Sequence, residues 1–154
     1  MKKEITMYTD GSALGNPGKG GLGVVLLYKK HRKEISEGYR FTTNNRMELL
    51  AVIRGLESIK EEKCSVTIYS DSTYVVKAVN ERWVFNWEKK DFKKKKNKDL
   101  WKRFLLLYKF FEMRFIWVKG HANIKENERC DFLAVKAAEG KNLLIDSVYE
   151  NESK

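Results

Sequence analysis

Thr42-Thr43-Asn44-Asn45-Arg46-Met47-Glu48-Leu49-Leu50-Ala51-Val52-Ile53 is the stretch in which the chain changes its hydrophobic period. Before it, apolar and polar residues alternate, as expected of strands with one buried face. From Asn45 onward, Leu49, Ile53, Leu56 and Ile59 recur at helical spacing with polar residues opposite, which predicts a helix over 45–61. On the N-terminal side, residues 3–9 alternate around Ile5, Met7 and Thr9 and read as a strand ending at Asp10-Gly11. A glycine-rich turn is expected from there to Gly21, then strands over 21–28 and 34–40 separated by the polar turn 29–33. On the C-terminal side helix and strand alternate: a strand over 65–70, a helix over 72–80, a helix over 99–111, a strand over 114–118, and a helix over 125–139 stopped by Gly140. Three strands in a meander, then alternating helix and strand, define an α/β chain with one mixed sheet flanked by helices.

Length and composition frame that class. The 154 residues fit one domain with a single core, and a hydrophobic fraction of 42% is ordinary for a globular chain. The net charge of +10 is not ordinary, and it favours a polyanionic partner, either nucleic acid or an anionic surface. No apolar run approaches the ~20 residues of a membrane span, and the opening Met-Lys-Lys-Glu-Ile-Thr lacks the apolar region of a secretory signal. Cys64 and Cys130 have neither metal-ligand nor redox spacing, so a reducing, cytoplasmic setting is expected. Residues 141–154 read as a polar tail, loose at its end, with Leu143, Leu144 and Ile145 available for docking.

Four acids stand where chemistry could use them, and each also has a plain structural explanation. Asp10 precedes Gly11 at a strand end, and Asp-Gly is a common turn pair. Glu48 lies three residues after Asn45, the spacing of a helix cap and its reciprocal acid. Asp71 could cap the helix starting at Ser72, and Asp131 could be a solvated helix charge. Taken together they read differently. Asp10 and Asp71 end strands at the edge where open α/β sheets place ligands, with Glu48 and Asp131 on helices that could cross that edge. Converging carboxylates repel one another unless cations fill the gap, and Mg²⁺ is the natural occupant of an all-oxygen donor set. His121, after the last strand, is either a surface hydrogen-bonding group or a proton-transfer group.

These blocks resemble type 1 ribonuclease H in its bacterial form. The likeness runs through Tyr8-Thr9-Asp10-Gly11-Ser12 with Gly15-Asn16-Pro17-Gly18, then Thr42 through Leu49, then Ser70-Asp71-Ser72 with Tyr74-Val75. It continues through Asn97, Asp99, Leu100 and Trp101, then Trp117-Val118-Lys119-Gly120-His121-Ala122 and Glu126-Asn127-Glu128-Arg129-Cys130-Asp131. The blocks stand in register along nearly the whole chain. The resemblance implies a ribonuclease H-like fold, a five-stranded mixed sheet flanked by helices. It implies a catalytic domain over 1–142, with a basic protrusion at about 81–98, and a tail over 143–154. It also implies cleavage of the RNA strand of RNA–DNA hybrids, leaving 5′-phosphate and 3′-hydroxyl ends, by a monomer. Asp10, Glu48, Asp71 and Asp131 would hold two Mg²⁺ ions, or Mn²⁺, with Asp10 bridging and His121 assisting proton transfer or product release.

The same resemblance assigns substrate contacts. Asn16, Asn44 and Asn45 match positions that reach the minor groove and the RNA strand, while Thr43 and Asn97 match positions holding a DNA phosphate. In the protrusion, Trp83, Phe85, Trp87 and Phe92 are interleaved with Lys89, Lys90, Lys93 to Lys96 and Lys98. Rings among lysines favour a nucleic-acid groove with Trp83 and Trp87 in it, against the plainer reading of a solvated charge run. A nuclease of different specificity on the same sheet, or a binding module without catalysis, would share parts of this pattern.

Overall fold

In the computed structural model, which describes residues 3–60, 63–120 and 122–152, five strands form a sheet in the order β3-β2-β1-β4-β5. The strands are β1 (Glu4–Leu14), β2 (Gly18–Tyr28), β3 (His31–Thr42), β4 (Ser65–Ser70) and β5 (Glu112–Trp117). The β1–β2–β3 meander is antiparallel, whereas β4 joins β1 and β5 joins β4 in parallel. Parallel pairing requires crossovers, and the helices supply them. These are α1 (Asn44–Glu57), α2 (Thr73–Asn80), α3 (Trp83–Lys89), α4 (Lys98–Tyr108), α5 (Lys125–Glu139) and α6 (Ser147–Glu152). Among the described residues no helix is long and apolar enough to cross a membrane.

The sheet is covered on both faces, and β2 shows how its sequence arranges this. Leu22, Val24 and Leu26 belong to the main core with Leu49, Ile53 and Leu56 of α1. The alternate residues Gly21 and Gly23 lie under α5, where a Cβ would overlap the Ala134 and Cys130 carbonyls. Missing side chains here let a helix sit directly on the backbone of the sheet. Beneath α1, Trp101 and Phe104 of α4 are fully buried and close the core toward β5.

Four elements depart from the sequence expectation. β1 does not stop at Asp10-Gly11: it continues to Leu14, pairing Gly11 with Leu22 and Ala13 with Gly20, and the chain turns only at Gly15–Asn16–Pro17. Gly11 is glycine for another reason, since a Cβ there would overlap the backbone of α1 at Met47 and Glu48. The turn expected over 29–33 shrinks to Lys29-Lys30, because β3 pairs from His31 onward. α1 ends at Glu57, capped by Ser58, and Glu61 lies outside the described residues. The lysine-rich protrusion contains a helix, α3, that its charge conceals: Val84 is buried and Trp87 packs edge-on against Trp101 at 5.9 Å.

The described part of the tail, as far as residue 152, is anchored, and its last two residues lie outside the described ones. The Leu144 N–H donates to the Gly38 carbonyl at 2.7 Å, and Arg40 N–H to the Leu144 carbonyl at 2.9 Å, adding a short parallel bridge to β3. Asp146 is buried, accepts from Thr42 Oγ1 at 2.7 Å, and receives Arg46 Nε at 2.7 Å. Of the residues expected to dock, Leu144 does so through its backbone, and what the sequence did not signal is the buried charge pair beside it.

Candidate active site

The parallel pairing of β1 with β4 runs out at Tyr8–Tyr69, and the two strands then part. Asp10 stands just beyond that point on β1, and Asp71 follows the last residue of β4. Glu48 is brought to the same place by α1, whose close approach over Gly11 needs the missing side chain. One carboxylate oxygen of each of Asp10, Glu48 and Asp71 lies within 4.8 Å of the others. Asp10 is 5% exposed, and its Oδ1 accepts the Gly11 N–H at 2.8 Å. The second oxygen of Glu48, Oε2, is buried without a hydrogen-bond partner.

The plain structural explanations for these three acids fail. Asp10 sits in no turn, because β1 continues through it. The N-cap of α1 is Thr43, whose Oγ1 accepts the Arg46 N–H at 3.2 Å, so Glu48 is not the reciprocal acid of a cap at Asn45. The N-cap of α2 is Ser72, accepting from Val75 N–H at 3.2 Å, which relieves Asp71 of that task. Asp131, half-buried on α5, stays outside the tight group of three, but its negative charge contributes to the field on Asp10. His121 lies outside the described residues. Its neighbour Gly120 passes close enough that a Cβ would touch Asp71 Oδ2.

The electrostatics follow from burial and proximity. Burial, then the charge of Asp71, pushes the Asp10 carboxyl up to about 8, although the Gly11 N–H opposes the shift. Glu48 is raised well above its ordinary value, first by burial and then by Asp10 and Asp71. Left to itself, this group would have to hold protons near neutral pH. Divalent cations would relieve the same repulsion while keeping the carboxylates ionised. The donors are all oxygen and one of them is buried and unpartnered, so the residues present fit a hard cation such as Mg²⁺.

Beside the acids runs a polar and basic face. Asn44 N–H donates to Asn16 Oδ1 at 3.1 Å, and Asn44 Oδ1 accepts from Ala13 N–H at 2.6 Å, so both asparagines tie the β1–β2 turn to the start of α1. Asn97 has a left-handed backbone before α4; its amide donates to Tyr74 Oη at 3.0 Å and accepts from Arg46 at 3.3 Å. Asn45, Trp83, Trp87 and Lys94 to Lys96 line a groove of about 340 Å³. Trp83 is 44% exposed and faces outward, whereas Phe92 is buried and Phe85 packs with its ring tilted against that of Tyr108, centroids 5.0 Å apart. The aromatics of the protrusion therefore divide: Phe85, Phe92 and largely Trp87 anchor it to the core, and Trp83 presents a ring to solvent. Lysine-rich composition hid that division.

Sequence reasoning missed the charge pairs centred on Arg46. Its guanidinium is 2% exposed and held by Asp99 at 2.7 and 2.9 Å and by Asp146 at 2.7 and 2.9 Å. An arginine inside an otherwise apolar helix face was the available signal, but its partners lie far along the chain.

Comparison with known proteins places this arrangement. The RNase H family model matches residues 2–139. The chain is 58% identical over 149 residues to the ribonuclease H of Desulforamulus reducens, covering 94% of this chain and 93% of that one. It is 54% identical over 153 residues to the ribonuclease H of Syntrophus aciditrophicus, covering 96% and 88%. Among solved structures it resembles LC9-RNase H1, a type 1 RNase H, with TM-score 0.84 and 32% identity over 99% of this chain and 82% of that one. It also resembles LC11-RNase H1 in complex with RNA/DNA hybrid, with TM-score 0.69 and 26% identity over 88% and 96% of the two chains.

Proposed function

Because the chain belongs to the ribonuclease H family, we propose that it cuts the RNA strand of RNA–DNA hybrids by a two-metal mechanism, leaving 5′-phosphate and 3′-hydroxyl ends. The observation that carries this reading is the group Asp10, Glu48 and Asp71, with ligand oxygens within 4.8 Å and one buried oxygen unpartnered, in a chain of net charge +10. Two Mg²⁺ ions there, or Mn²⁺, would supply Lewis-acid chemistry at both ends of an in-line displacement, activating the attacking water and stabilising the leaving 3′ oxygen.

The chain's own residues hold and orient. Asp10, Glu48 and Asp71 would hold the cations, and Asp131 would contribute from α5. Gly11 keeps Glu48 at this depth, and Ser72, not Asp71, caps α2. His121 is the proton-transfer group, assisting leaving-group protonation or product release. Asn16, Asn44 and Asn45 face the minor groove, where the 2′-hydroxyl separates RNA from DNA. Thr43 and Asn97 receive a phosphate of the DNA strand, and Trp83, Trp87 and the protrusion's lysines follow that strand electrostatically. All three clustered acids come from one chain, which supports a monomer, and the two buried thiols, Cys64 and Cys130, suit a cytoplasmic setting.

The test is an end-labelled RNA–DNA hybrid incubated with the protein in Mg²⁺ and in chelator, beside single-stranded RNA, duplex RNA and duplex DNA. Mg²⁺-dependent loss of the hybrid's RNA strand is expected, with 5′-phosphate on the downstream fragment. Cleavage of duplex DNA instead would point to a different nuclease on this sheet. Metal-independent binding with no cleavage would make the chain a binding module.

A further inference from the structure

α6 buries none of its residues, yet it is held by more than a packing contact. A six-residue helix has no stability of its own, so its position is imposed from outside. Asp146, just before it, is fixed by Arg46 and Thr42. Glu150 receives a forked pair from Arg40 at 2.8 to 3.1 Å. Tyr149 is seated with its ring 5.5 Å from that of Phe41 and 5.8 Å from the Arg46 guanidinium. Hydrophobic burial does not explain this anchorage.

What the anchorage achieves is a cavity wall. A cavity of about 660 Å³ is lined by Thr43, Asn97, Lys96 and Lys98 together with Tyr149 and Glu152. Resting on the assignment of Thr43 and Asn97 to a DNA phosphate, the geometry points to α6 as a substrate-positioning element for the uncut strand. Tyr149 offers the deoxyribose next to that phosphate an apolar face with a polar tip, as aromatic side chains with a hydroxyl commonly do at wet interfaces. Glu152 places a negative charge beside Lys96 and Lys98, opposing the phosphate and limiting how tightly the strand is held.

The test uses the full chain with Mg²⁺ and hybrids whose DNA strand carries a single uncharged methylphosphonate, moved one position at a time. Steady-state KM and kcat are measured for the parent, Tyr149→Ala and Glu152→Lys. One methylphosphonate position should raise KM for the parent. Tyr149→Ala should raise KM about 2- to 10-fold, the range of a lost aromatic contact, with kcat within about twofold. Glu152→Lys, an exposed change that does not threaten the fold, should lower KM and steepen its salt dependence by up to ~0.9 in log–log slope. The Glu152→Lys effect should vanish on the hybrid neutralised at the sensitive position, whereas the Tyr149→Ala effect, which acts on the sugar, should persist there. If that position exists but neither variant moves KM, α6 is no part of the substrate site and the inference falls alone. If no position is sensitive, the phosphate assignment falls, and the inference with it.

Discussion

Arg46 and Glu48 stand two residues apart on α1, both with buried charged atoms, and they meet opposite surroundings. Arg46 is enclosed by Asp99 and Asp146, with four short hydrogen bonds to their carboxylates. Burial alone would lower its pKa, but the two carboxylates outweigh that and raise it. Burial alone would raise the Asp99 carboxyl, but the Arg46 guanidinium together with backbone N–H donors at Leu100 and Asp99 holds it below the usual carboxylate range. The charges that act most strongly on Glu48 are those of Asp10 and Asp71, both of its own sign, and among the described residues one of its oxygens is buried without a hydrogen-bond partner. One turn of helix thus carries a charge completed within the chain and a charge left to be completed from outside. A saturated site gives position and specificity to the fold, whereas an unsaturated one stores an unfavourable interaction that a ligand can relieve.

The sharpest way to break this contrast is to remove a charge from the unsaturated side. Asp10→Asn should lower cleavage of the hybrid by about 10³-fold or more, since several kcal/mol of cation-dependent stabilisation is lost at about 1.4 kcal/mol per decade. Folded-state circular dichroism should be unchanged and hybrid binding largely kept; retained turnover would remove Asp10 from the residues that hold the cations. The saturated side should answer in stability instead. Arg46→Met leaves Asp146 buried without its partner, and urea unfolding should show a loss of about 3 kcal/mol, the lower part of the range for a broken buried pair because Asp99 is partly exposed. A change below about 1 kcal/mol would mean that the pair is no better than a surface contact.

Metal-free protein should separate the two regions by pH. Asp10 titrates near 8 in the folded chain and near its ordinary value when unfolded, so the folded state binds its proton more tightly. Its contribution therefore declines as pH rises from about 4 to about 8 and levels off above that. Thermal unfolding in chelator across that window should show the decline, Mg²⁺ should offset it, and Asp10→Asn should flatten it. A metal-free stability that rises from pH 5 to 8 would contradict the repulsive reading of the cluster. The smallest effect concerns neither charge on α1. Replacing Lys93 to Lys96 with Ala should reduce the log–log salt slope of hybrid binding by up to ~0.9 per lost phosphate contact, and an unchanged slope would return that run to a solvated surface.

Periodicity made α1, the meander and α5 readable in advance, because each buries one face against the sheet and the apolar residues mark it. The acids were readable as a set of four, though topology rather than spacing had to bring them together, and three of them form the tight group. What stayed hidden has a common cause. Gly11 looked like a turn because glycine serves both tight turns and close backbone approach, and only the position of α1 tells the two apart. α3 was masked because it is only seven residues long, with anchors at Val84 and Trp87, and runs directly into the lysine-rich stretch that begins at Lys89. The fixed tail depends on a charge pair between distant residues, which no local pattern announces.

That last pair has a consequence for biosynthesis. Arg46 and Asp146 are separated by 100 positions. At about 5–20 residues per second, a ribosome adds the second partner about 5–20 s after the first. Asp99, 53 positions after Arg46, arrives about halfway through that interval, so α1 first carries an unpaired cation and then one paired on a single side. The helix that delivers Glu48 to the acids is among the first elements made, and the second carboxylate that encloses its neighbouring charge is among the last.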